Sequence, residues 1–110
     1  MLVDFFDSEY LSQQYSDQDD KYIVCLTLWN NKPAKIVFDR VIGVCAFSNT
    51  CPIGLRYEAS PSHFFQDALT SAFEKIPEQH GYMCYEIIDV NEEPFIKVVA
   101  KGYEFLEWTE

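Results

Sequence analysis

The segment KYIVCLTLWNNKPAKIVF, residues 21–38, indicates most directly how this chain folds. In residues 21–29, apolar side chains occupy both alternating sets of positions, a pattern typical of an internal strand covered on both sides. The NNKP that follows is rich in turn-forming residue types. AKIVF then returns as a second apolar run, so residues 21–38 are predicted to form a β-hairpin.

Five more strand-like runs lie further along the chain, and the turns between them are short. Neighbouring runs are therefore expected to pair antiparallel. Together with the hairpin they predict a single curved antiparallel sheet of six to seven strands. The runs are VIGVCAFS at 41–48, IGLRYEA at 53–59, YMCYEIIDV at 82–90, FIKVVAK at 95–101 and GYEFLEW at 102–108.

The run FIKVVAK has the clearest alternation. Ile96, Val98 and Ala100 are predicted to face inward. Lys97 is predicted to face outward, as is the lysine that ends the run. If Gly102 bends the chain, the last run either pairs separately or extends the same strand.

One amphipathic helix is predicted over residues 60–76. Ser60 suits the N-cap, and Pro61 suits the first helical position. Pro77 is expected to end the helix. The apolar face that packs on one face of the sheet consists of Phe64, Phe65, Ala68, Leu69, Ala72, Phe73 and Ile76.

Residues 4–14 are a candidate for a second, shorter helix near the start of the chain. The chain has 110 residues, which suits one domain better than two. The prediction is therefore one α+β domain over residues 1–110, with a single sheet and the main helix on one face.

The composition is that of a folded, strongly acidic protein. Hydrophobic residues make up 48% of the chain and aromatic residues 16%, enough to build a core. The formal net charge of −10 repels nucleic acid and anionic lipid, so neither is expected as a partner. A basic protein, in contrast, would be attracted. No signal peptide or membrane-spanning run is visible, and the expected compartment is the cytoplasm.

Motifs for catalysis or metal binding are not evident. The cysteines are expected to be free thiols, with Cys25 and Cys84 in the core. Cys45 and Cys51 flank a turn without the spacing of a zinc knuckle. DQDD at 17–20 begins like a calcium loop but lacks its required glycine and glutamate. The chain is therefore predicted to need no cofactor or metal and not to be an enzyme.

Acidic residues cluster in three places, and tyrosine or tryptophan lies among them. Asp4 joins the first cluster, so the first twenty residues hold six acids and no base. Aromatic anchors surrounded by charges that steer association are typical of a protein-binding surface. The predicted contact residues are Asp7, Glu9, Tyr10, Tyr15, Asp17, Asp19, Asp20, Glu86, Asp89, Glu92, Glu93, Glu104, Glu107 and Trp108.

The stretch KYIVCLTLWNNKPAKIVFDRVIGVCAF, residues 21–47, resembles small bacterial immunity proteins of polymorphic-toxin and contact-dependent growth inhibition systems. Several such families have an early Asp-Ser element, then a strand and a segment of the form xFxxV. Asp7-Ser8 and residues 38–41 stand in those places here, and the C-terminal stretch FIKVVAKGYEF is also similar to these families. The resemblance implies a protein without catalytic residues that binds a cognate basic toxin, frequently a nuclease, and blocks it. Its carboxylates would then stand in for the phosphates of nucleic acid.

Three alternatives stay open at the level of sequence. The acids could be a solvated surface that only keeps the protein soluble, with the aromatic residues in the core. The chain could be a small acidic adaptor or subunit of a host complex, pairing as a homodimer through an exposed sheet edge. It could also be a small enzyme that uses a cysteine or a carboxylate.

Overall fold

The computed structural model describes most of the chain, with short gaps between its ranges. These ranges are 2–4, 9–16, 20–28, 32–46, 52–58, 62–89 and 91–107. Within them, the elements are β1 (Val3–Asp4), β2 (Glu9–Ser16), β3 (Lys21–Thr27), β4 (Pro33–Asp39), β5 (Gly43–Ala46), β6 (Gly54–Tyr57), α1 (His63–Ala72), β7 (Met83–Ile88), β8 (Pro94–Ala100) and β9 (Gly102–Glu107).

The strands form two antiparallel sheets, so the expectation of one curved sheet is wrong. Sheet A has five strands in the order β1-β6-β7-β8-β5, and sheet B has four in the order β2-β3-β4-β9. The broader prediction of an α+β fold with antiparallel pairing is confirmed.

The predicted hairpin is confirmed and forms the centre of sheet B. β3 and β4 pair without interruption, from Lys21 opposite Asp39 to Thr27 opposite Pro33. One face of the hairpin is fully buried, while the residues on its second face are half-buried, as Ile23 is, or exposed, as Lys21 and Asp39 are. β3 is thus an internal strand, but among the described residues only one of its two faces is fully buried.

The last two strands explain why there are two sheets. β8 belongs to sheet A and β9 to sheet B, and only Lys101 separates them. One residue is too short for the usual two-residue hairpin turn, so the strands do not pair with each other. The chain instead passes from one sheet to the other, and Lys101 N donates a hydrogen bond to Asp39 O at 3.0 Å at this corner.

The two sheets bury their apolar faces against each other, and α1 covers the outer face of sheet A. Between the sheets, the hairpin residues Val24, Ile36 and Phe38 meet Ile87 and Val98 of sheet A. The second, smaller core lies under the helix and consists of Ala68, Cys84 and Val99 with Ile42, Phe64, Phe65 and Tyr82 around it. The layers are therefore sheet B, sheet A and helix.

Gly43 allows the helix to approach sheet A closely. A Cβ atom at this position would lie 3.0 Å from the Cβ of Ala68. This distance is shorter than ordinary van der Waals contact, so an alanine at position 43 would require Ala68 to move by a few tenths of an ångström.

The short N-terminal helix predicted over residues 4–14 is wrong. Within that range, Asp4 ends β1 and residues 9–14 belong to β2, which pairs with β3. The hydrogen bonds along the open side of β3 outweigh a weak helical pattern. A register shift between Tyr10 and Ser12 accommodates the imperfect alternation of β2.

The main helix is confirmed but is shorter than predicted. The hydroxyl of Ser62, not Ser60, caps it by accepting a hydrogen bond from Phe65 N at 3.2 Å. The helix ends at Ala72, four residues before the predicted end, and Ile76 is exposed. No helix in the described ranges is long and apolar enough to span a membrane.

Candidate functional site: a buried ion cluster and an acidic exterior

Three charged side chains of alternating sign form a row across the outer face of sheet A. Arg56 on β6 lies opposite Glu86 on β7, and Glu86 lies opposite Lys97 on β8. Side chains that share a row on neighbouring strands project from the same face. Antiparallel register therefore brings these three charges together, although they are far apart in sequence.

The row forms a connected ion cluster with a fourth charge, Glu58. Arg56 Nε donates to Glu86 Oε1 at 3.0 Å, and Lys97 Nζ lies 3.4 Å from Glu86 Oε2. Lys97 Nζ also lies 3.3 Å from Glu58 Oε2. The carboxylate side chains are only 5% and 7% exposed, for Glu86 and Glu58 respectively. Charges buried to this degree require such partners.

Glu58 also joins the cluster to the start of the helix. Its Oε1 accepts a hydrogen bond from Ser62 N at 2.7 Å, and its Oε2 accepts one from Cys84 Sγ at 3.4 Å. Burial acts to raise the pKa of Glu58, but the hydrogen bonds from Ser62, Cys84 and Lys97 outweigh it and lower the pKa. Glu58 is therefore a charged carboxylate that ties β6, β7, β8 and α1 together.

Lys97 and Cys84 are held in single protonation states by their surroundings. Burial acts to lower the pKa of Lys97, but its hydrogen bond to Glu58 and the charges of Glu58 and Glu86 raise it overall. Burial, followed by the charge of Glu58, raises the pKa of Cys84 to about 12. Cys84 thus stays a protonated hydrogen-bond donor and does not have the properties of a nucleophilic thiolate.

The middle of the three acidic clusters, Glu86, Asp89, Glu92 and Glu93, does not form one exposed surface. Glu86 is buried inside the ion cluster, so its carboxylate does not face solvent as a contact residue would. Asp89 organises the turn between β7 and β8, where its Oδ1 accepts hydrogen bonds from Asn91 N at 2.8 Å and Glu93 N at 3.0 Å. Glu92 and Glu93 are exposed on that turn.

A further contact fixes this turn to sheet A. Arg56 Nη2 donates to Glu92 O at 3.3 Å, and Asp89 N donates to Glu93 O at 2.9 Å. Arg56 therefore bridges the buried cluster and the exposed acidic turn. The backbone that presents Glu92 and Glu93 is held by hydrogen bonds on both sides.

The other predicted contact residues are spread over sheet B and its turns. Asp20 is exposed beside the start of β3, Tyr15 of β2 is 47% exposed, and both Glu104 and Glu107 are exposed on β9. The backbones of Glu9 and Tyr10 belong to β2, but their side chains lie outside the described part of the chain. Asp7, Asp17, Asp19 and Trp108 also lie outside it.

Sequence reasoning missed the cluster residues Arg56, Glu58 and Cys84 as a group. The prediction that Lys97 faces outward is confirmed, because its side chain lies on the face of sheet A that points away from the core between the sheets. The available signal was the presence of Glu86 and Lys97 inside otherwise apolar runs. Only the pairing of strands β6, β7 and β8 shows that these charges neutralise each other.

The described residues contain no group of three or more histidine, cysteine, aspartate or glutamate side chains that could hold a metal ion. An open cleft of about 410 Å³ lies beside the edge strands β2 and β5 and is mainly apolar. Its lining residues are Tyr15, Tyr22, Val41, Ile42, Gly43 and Val44.

Comparisons with protein-family models, with curated proteins and with solved structures find no match to this chain.

Proposed function

We propose that this protein is a non-catalytic acidic binding protein, and specifically an immunity protein that neutralises a cognate basic toxin in the cytoplasm. A nuclease is the toxin class that suits it best, because a nuclease must already hold a polyanion. Binding by the acidic protein would block the nucleic-acid site or a surface next to it. The resemblance of residues 21–47 to immunity proteins agrees with this proposal.

The observation that carries the proposal is the internal neutrality of the ion cluster. Its two bases, Arg56 and Lys97, are balanced by its two acids, Glu58 and Glu86. The net charge of −10 therefore lies entirely outside the cluster. That charge gives a field that attracts a basic protein over distances of about 10 Å at moderate ionic strength.

The turn between β7 and β8 is a well-organised part of the described acidic exterior. Its backbone is fixed by Asp89 and by Arg56, so Glu92 and Glu93 are presented without a large loss of loop entropy on binding. Carboxylates held in this way suit bidentate contacts with arginine side chains of a nuclease.

The protonation state of Cys84, the most buried of the described cysteines, argues against a thiol mechanism at this position. A thiol with a pKa of about 12 provides almost no thiolate at neutral pH. Glu58, the carboxylate that accepts a hydrogen bond from Cys84, is already engaged by Lys97 and Ser62. The net charge of −10 has a direct use in attracting a basic partner, whereas a thiol mechanism at Cys84 would make no use of it.

Co-expression with a candidate basic toxin tests the proposal, and a toxin-like gene beside its own would supply the first candidate. We expect rescue of growth, a one-to-one complex, and an association rate constant that falls steeply as salt rises. Glu92→Gln with Glu93→Gln should slow association by about tenfold at low salt. The matched control, Glu74→Gln with Glu78→Gln, removes the same charge elsewhere and should slow it by less than about twofold.

Absence of protection by the wild-type protein, together with no complex at low salt, would refute the immunity function. Protection with equal effects of the two double variants would keep the function but remove the β7–β8 turn from the contact surface.

A further inference from the structure

The segment that joins α1 to β7, residues 73–82, lies on the surface and is held at few points. All residues at 74–79 are exposed. Phe73 at one end of this connecting segment is half-buried, and so are His80 and Tyr82 at the other end. The contacts of these three side chains therefore decide whether the connecting segment stays on the outer face of sheet A.

Tyr82 is the centre of a small cluster of rings. The Phe73 ring meets it edge-on with 5.9 Å between ring centres, and the His80 ring stacks on it at 6.1 Å. Phe65 of α1 meets the His80 ring edge-on, also at 6.1 Å. Lys101, between β8 and β9, places its Nζ 5.3 Å from the centre of the Tyr82 ring. The cluster thus attaches both ends of the connecting segment to α1 and to the corner between the sheets.

A hydrogen bond to the backbone fixes the orientation of the His80 ring. Tyr82 N donates to His80 Nδ1 at 2.9 Å. Gly81, between the two residues, has a φ of 77°, a left-handed conformation that glycine adopts without strain, and the chain folds back there. Because only an unprotonated ring nitrogen can accept, this bond requires the neutral form of His80, with its proton on Nε2.

A second proton on the His80 ring would reverse this contact. Both ring nitrogens would then be donors, so Nδ1–H would face the N–H of Tyr82 and leave it without its acceptor. The new positive charge would also lie near Lys101, which occupies the same aromatic cluster. A charged ring would gain a cation–π contact with Tyr82, but Lys101 already lies over that ring. Protonation therefore weakens the attachment of the connecting segment.

No carboxylate in the described ranges is paired with His80 to compensate for this loss. On α1, the helix that packs against its ring, His63 and Asp67 are exposed and form no hydrogen bond or ion pair with it. At the corner between the sheets, the charged neighbour is Lys101, which is positive. The charged residues of the connecting segment itself, all exposed, are Glu74, Lys75 and Glu78.

We propose that His80 is a pH-sensitive switch that holds the connecting segment on sheet A in its neutral form and releases it in its protonated form. The switch acts as pH falls from about 8 to about 5, the range in which histidine side chains gain a proton. Release also frees the end of α1, because the Phe73 ring packs on Tyr82. The pairing of β6, β7 and β8 does not include this hydrogen bond, so the change is local.

NMR hydrogen exchange of the Tyr82 amide in the purified protein tests the switch. The exchange rate of an unstructured peptide at the same pH, divided by the measured rate, gives a protection factor. We expect this factor to fall at least about fivefold between pH 8 and pH 5 in the wild-type protein, while the circular dichroism spectrum stays unchanged. Glu58 remains charged over this range, because its pKa is lowered from 4.5.

Substitutions of His80 separate the hydrogen bond from the titration. His80→Asn supplies a side-chain oxygen that accepts from the N–H two residues later but gains no proton, so the protection factor should no longer depend on pH. His80→Ala removes the acceptor, and the Tyr82 amide should lose its protection at pH 8 as well. The matched control is His63→Asn, which removes the other histidine of the chain and should leave the pH dependence intact.

Proteolysis at a fixed pH gives a second measurement of release. Lys75 lies in the middle of the connecting segment and is exposed. At pH 8, trypsin should cleave after Lys75 at least about fivefold faster in His80→Ala than in the wild-type protein, because a released segment reaches the protease more often. Equal rates in the two proteins would show that the His80 contact does not hold the segment, and would overturn the proposal.

A protection factor of the Tyr82 amide that does not change between pH 8 and pH 5 would also overturn it. The same holds for an unaltered pH dependence in His80→Asn, or for its loss in His63→Asn. Loss of the circular dichroism spectrum over this range would mean that the whole fold responds to pH, which contradicts a local switch. None of these measurements involves a toxin, so they are independent of the proposed immunity function.

Discussion

The outer faces of the two sheets carry similar side chains but differ in how those side chains are used. On sheet A, Arg56, Glu86 and Lys97 form ion pairs beside the helix. On sheet B, Lys21 and Asp39 are also direct neighbours across strands, yet the described residues show no ion pair between them. Strand register therefore places charged side chains next to each other on both faces, but ion pairs form where the carboxylate is buried.

The largest expected effect comes from breaking the cluster on sheet A. Glu86→Gln leaves Arg56 and Lys97 without their shared partner in a buried position and should lower the free energy of unfolding by about 3 kcal/mol. The equivalent change on sheet B, Glu104→Gln, should alter it by less than about 0.5 kcal/mol. Urea denaturation of both variants at dilute concentration measures the contrast, and equal effects would show that burial is not the deciding factor.

Cysteines also lie on both outer faces, with Cys84 and Cys45 on sheet A and Cys25 on sheet B. Cys84 lies under the helix and has a pKa raised to about 12, whereas Cys25 is half-buried on the open face of sheet B. Alkylation at pH 8 should modify Cys25 at least about a hundredfold faster than Cys84. Peptide mapping by mass spectrometry follows each residue separately. Comparable rates would mean that the helix does not protect the outer face of sheet A.

A pH effect is expected from the lowered pKa of Glu58. A carboxylate with a folded-state pKa below its usual value of 4.5 stabilises the fold above that pH, and this stabilisation is lost as pH falls through the folded-state pKa. Glu58→Gln should therefore be less stable than wild type at pH 7, and the difference should shrink below pH 4.5. A difference that is constant with pH would show that Glu58 acts without its charge.

The smallest of these effects concerns the start of the helix that covers sheet A. Ser62→Ala removes the hydroxyl that accepts a hydrogen bond from Phe65 N and should cost about 1 kcal/mol in the free energy of unfolding. Ser62→Asp keeps an acceptor but adds a charge near Glu58, so it serves as a test of the cluster as well. Thermal and urea unfolding should agree on the Ser62→Ala value, and an unchanged stability would argue against this cap.

Much of the fold was predictable because it depends on local patterns. The hairpin over residues 21–38 combines two apolar runs with strong turn chemistry, and it appears as β3 and β4. The main helix was recognisable from its apolar face, but its start was misplaced because Ser60 and Ser62 are both suitable caps. Only the contact of α1 with sheet A shows where the helix begins and ends.

The candidate site was less predictable. Glu86 was predicted to be an exposed contact residue because acids usually lie at the surface, but it is buried. A strand sequence shows that two faces alternate, but not which of them another element will cover. Glu92 and Glu93, on a turn, were predicted to be exposed and are exposed, since turns between strands rarely lie inside a protein.

The sequence by itself determined the acidic character of this protein, its short strands and its single long amphipathic segment, because each depends only on residue type and spacing. The tertiary structure decided that β8 and β9 enter different sheets and that Arg56, Glu58, Glu86 and Lys97 meet. These outcomes depend on contacts between residues far apart in the chain, which no local pattern encodes.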